Sequence, residues 1–176
     1  MAGSAKSEEL LNNTLLFIVK LFNENNIKNW FIAYGTLLGI VRNDSCIDRD
    51  DDIDIIMDIS NYNLLKELLL KNNFELESTR YRITDSSPII KTKDRKDLST
   101  IEFYMAKVDE NGNFNDMWEN VVWSECYNEK KELVEYSWKD NVLYLPFNYE
   151  KKLARRYGNN WRKPQKYPGN RGCRVL

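Results

Sequence analysis

The chain has 176 residues, a formal net charge of −1, 42% apolar and 12% aromatic residues, and no histidine; this fits one compact domain with a real core and argues against disorder. Cys46, Cys126 and Cys173 are odd in number and form no C-x-x-C pair, so neither a disulfide framework nor a zinc centre is indicated, and the cytoplasm or another reducing compartment fits best. No apolar run approaches the roughly eighteen residues that cross a bilayer, and no signal-peptide pattern opens the chain.

Residues 1–6 read as a tag remnant or a disordered lead. Ser7 followed by Glu8 and Glu9 predicts a helix start, and Leu11, Leu15, Ile18 and Phe22 form an apolar stripe to about Asn25. Asn23–Asn26 reads as a turn. Trp30–Tyr34 is expected as a short strand broken by Gly35-Thr36, with a short helix from Leu37 to about Asn43. The alternation in 52–57 predicts a strand, followed by a Leu-rich helix over Asn63–Lys71. Phe74–Glu77, Tyr81–Thr84, Pro88–Thr92 and Thr100–Met105 are expected as strands, and Asn111–Asn115 as a turn. Leu133–Trp138 and Val142–Leu145 predict a hairpin around Lys139-Asp140-Asn141. Asn148 is expected to cap a last helix that Gly158 ends. The fold class is α+β: one domain over residues 7–165, with a mixed sheet covered by helices and a basic tail over 166–176.

Charge is unevenly distributed. Seven aspartates fall between Asp44 and Asp58, and nine Lys or Arg lie between residues 150 and 176 against the single acid Glu150. The two regions either face each other across a cleft that takes a metal–phosphate substrate, or are a solvated face and a frayed end. The aspartate run is more specific. Residues two apart on a strand share a face, roughly 6–7 Å apart, so Asp50, Asp52 and Asp54 should project together and Ile53, Ile55 and Met57 the opposite way. Carboxylates packed in a row repel, which a cation among them relieves. With no histidine present, oxygen ligands favour Mg²⁺ or Mn²⁺. An EF-hand does not fit, because Ile53 and Ile59 stand where its glycine and bidentate glutamate belong.

Two further pieces accompany that row. Gly35-Thr36 joins a strand to a helix start, where backbone N–H groups and the Thr36 hydroxyl can meet a phosphate. Glu102, an acid between Ile101 and Phe103, should be costly in mid-strand unless paired, and a metal site would pair it.

The order Gly-Thr, Asp-x-Asp, then a distant strand carboxylate resembles the nucleotidyltransferase fold. The stretch Trp30–Arg42 with its Gly35-Thr36-Leu37-Leu38-Gly39, then Ile47 and Asp50–Ile55, is similar to the LicD family, which includes the fukutin-related proteins. Pro146–Glu150, Leu153, Tyr157-Gly158 and Trp161 match that family's other recurring segment. The resemblance covers about half of the chain. It implies transfer of a phospho-alcohol, such as phosphocholine or ribitol phosphate, from a CDP-activated donor to a glycan hydroxyl. Asp52, Asp54 and Glu102 would be catalytic and bind metal, with Asp50 assisting them directly or from behind. Gly35, Thr36 and Arg42 would bind the donor's phosphates. Asp48-Arg49 departs from the family's usual Pro-Trp before the aspartates, and neither a membrane anchor nor the zinc-binding insertion found in some members is expected from this sequence. The rival readings are nucleotidyl transfer from an NTP and, ranked below it, an inactive module binding nucleic acid through residues 151–174. Trp118, Trp123, Tyr127 and Trp161 are candidate partners for a choline ammonium, with core packing as the alternative.

Overall fold

The structure, a computed structural model, describes residues 7–77, 89–164 and 173–176. Among these, helix α1 (Ser7–Glu24) precedes strand β1 (Trp30–Ile32), helix α2 (Tyr34–Asn43) and strand β2 (Asp52–Asp58). A 3-10 turn (Ile59–Asn61) leads into α3 (Tyr62–Lys71), β3 (Ile89–Lys91) and the long strand β4 (Thr100–Val108). The short strands β5 (Phe114–Asp116) and β6 (Val121–Trp123) follow. The hairpin β7 (Val134–Trp138) and β8 (Asn141–Leu145) then leads to α4 (Tyr149–Tyr157).

The main sheet runs β1-β2-β4-β5-β6, with β3 paired to the other half of the β4 edge that β5 uses. β2 and β4 are parallel and in register, which sets Asp54 beside Glu102 and Ile55 beside Phe103. Because side chains alternate, one face of this pair carries Asp52, Asp54, Glu102 and Tyr104. The other carries Ile53, Ile55, Ile101 and Phe103, all fully buried. α1 covers that apolar face, with Phe22 stacked against both Trp30 and Phe103. α2 reaches the opposite face, where the Tyr34 and Tyr104 rings meet edge to face at 5.1 Å.

Several boundaries differ from the expectation. Tyr34 opens α2 instead of closing β1, so Gly35 and Thr36 belong to the helix's first turn. Phe74–Glu77 contributes a single bridge, Leu76 to Thr92, and Tyr81–Thr84 lies outside the described residues. The turn at Asn111 is shorter than expected, because Phe114 is buried and starts β5. Asn148 precedes α4, but in a left-handed conformation (φ 55°) and without a side-chain capping bond; its carbonyl accepts from the Lys151 and Lys152 N–H groups. The β7–β8 turn is the two residues Lys139-Asp140, both with positive φ, which suits the twist of a hairpin. Arg174 and Leu176, within the expected basic tail, hydrogen-bond alongside β6, and Leu176 is fully buried.

The segment after α2 is pinned from three sides, and this fixes where the aspartates emerge. Asn12 of α1 donates to Ser45 and accepts from the Cys46 N–H, and the Trp138 indole donates to the Asp44 carbonyl. Gly39 lets this loop fold back: a Cβ there would sit 2.6 Å from the Ser45 carbonyl oxygen and 3.0 Å from the Ile47 nitrogen. Both are backbone atoms and cannot step aside. Gly39→Ala should therefore cost about 1–3 kcal/mol, lowering the melting temperature by ~2–4 °C per kcal/mol. An unchanged thermal melt would mean that the loop does not press on α2.

Candidate functional site

The in-register pairing of β2 and β4 brings Asp52, Asp54 and Glu102 together, each offering one carboxylate oxygen within 4.8 Å of the others. Asp50, Asp51 and Asp52 form a second such group. Asp50, Asp51, Asp52 and Asp54 line a cavity of about 460 Å³ together with Tyr34, Gly35, Tyr104, Arg156 and Tyr157, among others, and Glu102 reaches its edge only through its contacts with Asp52, Asp54 and Tyr104. Asp54 lies deepest, at 7% exposure. The oxygens are close enough for small, hard divalent cations to link them, and an all-oxygen donor set suits Mg²⁺ or Mn²⁺.

The partners of the acids stop short of neutralising them. Lys91 of β3 lies directly across from Glu102 and pairs with its Oε1 at 2.6 Å. Burial works against the Lys91 charge, but its bond to Glu102 and the surrounding acids hold its pKa above the usual value. Lys91 is one cation beside five clustered carboxylates, and Arg49 and Arg156 line the adjoining cavity. Burial, then the fields of Glu102, Asp50 and Asp51, push the Asp52 pKa up to about 7 despite Lys91. Asp54 is raised well above the ordinary range by burial first and by Asp52, Asp50 and Glu102 after it. The Tyr104 hydroxyl lies 2.6 Å from Glu102 Oε2 and 3.1 Å from Asp54 Oδ1. A phenol carries one proton, and the shorter contact takes it. A proton on Asp54 then satisfies the longer one, in keeping with its raised pKa.

α2 meets this cluster at its first turn. The Gly35 N–H donates to Asp54 Oδ2 at 3.0 Å, and Thr36 Oγ accepts from the Asp54 N–H at 2.9 Å. Thr36 is 2% exposed and does not line the cavity. Its hydroxyl, expected to meet phosphate, ties the helix to the strand instead. Gly35 does face the cavity, and a Cβ on it would come 2.6 Å from Asp50 Oδ2, so the absent side chain makes room for a carboxylate. Asp50 precedes β2, because its N–H bonds the Ile47 carbonyl in a turn rather than joining the ladder. It nevertheless reaches the same cavity.

Arg42 stands apart, in an adjoining compartment of about 200 Å³ with Leu38, Ile47, Tyr157, Trp161 and Lys163. Its Nε is buried without a hydrogen-bond partner among the described residues. Trp123 packs in the core against Phe31 and Tyr34, and Tyr127 against Phe114. Sequence reasoning passed over Lys91, Tyr104 and Arg156. Tyr104 had a signal, two residues after Glu102 and therefore on its face; Lys91 and Arg156 had none beyond their charge.

The raised carboxylates set the pH dependence of the metal-free protein. Between about pH 4 and 7 the folded state holds protons that the unfolded chain has released, so stability falls as pH rises through that window. Melts without divalent ions should show a lower midpoint at pH 8 than at pH 5.5. Asp52→Asn should flatten the difference, and Mg²⁺ should restore more stability at pH 8 than at pH 5.5. A midpoint rising over this range in the wild type, unaltered by Asp52→Asn, would contradict the crowding of charge described here.

A family model described as LicD/FKTN/FKRP, nucleotidyltransferase domain, matches residues 26–149. No curated protein sequence matches the chain. Among solved structures, that of the lincosamide antibiotic adenylyltransferase LnuA, lincomycin-bound, is similar over 87% of this chain and 86% of its own, with a TM-score of 0.56 and 14% identity. A putative nucleotidyltransferase from Thermotoga maritima aligns over 78% of this chain and 80% of its own, with a TM-score of 0.45 and 16% identity. The likeness to LnuA shows a shared nucleotidyltransferase fold, with the mixed sheet and flanking helices described above. The family match spans most of the chain and includes β1, α2, the aspartate strand and β4, and on that match the chain belongs to the LicD/FKTN/FKRP family.

Proposed function

We propose that this transferase moves a phospho-alcohol from a CDP-activated donor to a hydroxyl of a glycan, with Mg²⁺ or Mn²⁺ as cofactor. The observation that carries the reading is the convergence of Asp52, Asp54 and Glu102 from adjacent parallel strands into one cluster, with Asp52 and Asp54 lining a cavity. Family membership supports the choice of donor.

Asp52, Asp54 and Glu102 would hold the cation, which when bound supplies positive charge to the donor's diphosphate and to the leaving oxygen. Gly35 keeps Asp54 aimed through its N–H and leaves room for Asp50 at the cavity wall. Tyr104 spans Asp54 and Glu102 and fixes their spacing. In the transfer, the acceptor oxygen bonds to the β-phosphorus and the bond from that phosphorus to the bridging oxygen breaks. CMP leaves with the electron pair, and the acceptor's proton passes to Glu102. Arg42, in the adjoining compartment with Trp161, would neutralise charge on the leaving CMP or the transferred phosphate.

A second reading, nucleotidyl transfer from an NTP, draws on the fold shared with an adenylyltransferase. The same carboxylates serve attack at either phosphorus, so the products decide. Incubation with CDP-choline, CDP-ribitol or CDP-glycerol, Mg²⁺ and glycan acceptors should release CMP with one of them. Pyrophosphate released from an NTP, with no CMP from any CDP-alcohol, would replace this reading with the second.

Asp54→Asn should abolish transfer while leaving the metal-free protein as stable as wild type or more so, since one repelling charge disappears. Full activity in this variant, together with a lowered apo melting temperature, would remove Asp54 from the chemistry.

A further inference from the structure

α4 brings a cation to the carboxylate cavity. Arg156 lines it together with Asp50, Asp52 and Asp54, and its guanidinium carbon lies 4.3 Å from the centroid of the Tyr34 ring. Nε and Nη1 are sealed from solvent and have no hydrogen-bond partner among the described residues. Arg156 takes part in none of the ion pairs found there. Buried donors without acceptors are costly and uncommon in folded proteins. The guanidinium lies over the Tyr34 ring with Nε and Nη1 unused among the described residues.

The ring beneath it is itself fixed. Tyr34 starts α2 with φ 41°, a strained value for a bulky residue, and its hydroxyl donates to the buried Asp116. The other edge of Tyr34 meets Tyr104, which touches Asp54 and Glu102. Two rings in edge-to-face contact thus link the guanidinium to the acid cluster. Asp116 accepts from the Tyr34 hydroxyl and from the Trp118 and Glu119 N–H groups, and Arg156 Nε and Nη1 have no acceptor among the described residues.

We propose that Arg156 is a phosphate ligand of the activated donor, its guanidinium giving N–H groups to the anionic oxygens of the diphosphate. This rests on the transferase reading, and it assigns a role to a residue of the C-terminal helix outside residues 26–149, which the family model matches. A diphosphate in this cavity meets cationic charge on two sides, from the acid-bound ion and from α4. The planar fork of arginine suits paired phosphate oxygens, which a lysine ammonium meets only as a point charge.

The alternative is that Arg156 only braces Tyr34 and offsets the acid field. Calorimetric titration of the Mg²⁺-saturated full chain with inorganic pyrophosphate and with CMP separates the two. Arg156→Gln should weaken pyrophosphate binding at least about tenfold while Mg²⁺ affinity is kept or tightened. Arg156→Lys should recover only part of the loss. Wild-type pyrophosphate affinity in Arg156→Gln would overturn the proposal and leave the transferase reading standing. If Arg156→Gln does not fold, wild-type affinity in Arg156→Lys overturns the fork role in the same way. A wild-type protein that binds neither probe would overturn both readings.

Discussion

Crowding of negative charge on two neighbouring strands is the constraint around which this domain is organised. A parallel, in-register pair places residues 54 and 102 side by side, and period-two alternation adds residue 52 to the same face. Acids in those positions repel, and burying them raises the cost. The surroundings answer only in part. Lys91 supplies one charge, Tyr104 one hydroxyl proton and Gly35 one N–H. What remains is a cavity whose carboxylates hold protons more tightly than usual. Such a site would gain more from a bound cation than an ordinary acidic surface, and cation binding would release protons.

The rest of the fold secures the positions of these groups. The opposite face of β2 and β4 is closed by α1 through a dry aromatic contact, so the pair cannot slide without exposing Ile53, Ile55 and Phe103. α2 is locked to β2 by Thr36 and Gly35, and the loop that follows it is held by Asn12, Trp138 and the close approach at Gly39. Rigid elements thus carry the acids. The cation that faces them, Arg156, comes from a separate helix beyond the hairpin. Asp50, Asp52 and Asp54 thus share one cavity with Arg156 of the last helix.

Much of this was legible in the sequence because it depends on local periodicity. The alternation around Asp52 and Asp54 marks a strand with two distinct faces, and Glu102 between Ile101 and Phe103 marks another. Their parallel pairing was not legible from the residues alone, since it joins segments nearly fifty positions apart and no local pattern encodes register. Thr36 shows the limit of a motif: its place at a helix start suggests phosphate, yet the nearest unpaired donor is the Asp54 N–H, and the hydroxyl serves that. The strands at Phe114 and Val121 were hidden by the Asn, Asp and Gly that surround them. Arg156 was one of nine basic residues in its region, and only packing against Tyr34 separates it from its neighbours.

The most direct measurement is the anomalous diffraction of a crystal of the full chain grown with Mn²⁺ at pH 8. A peak ligated by Asp52, Asp54 and Glu102, with the Lys91 ammonium moved off Glu102, would agree with a site built to be completed by a divalent ion. No peak at saturating Mn²⁺, with Lys91 still seated on Glu102, would contradict it and leave the acids as a structural charge network.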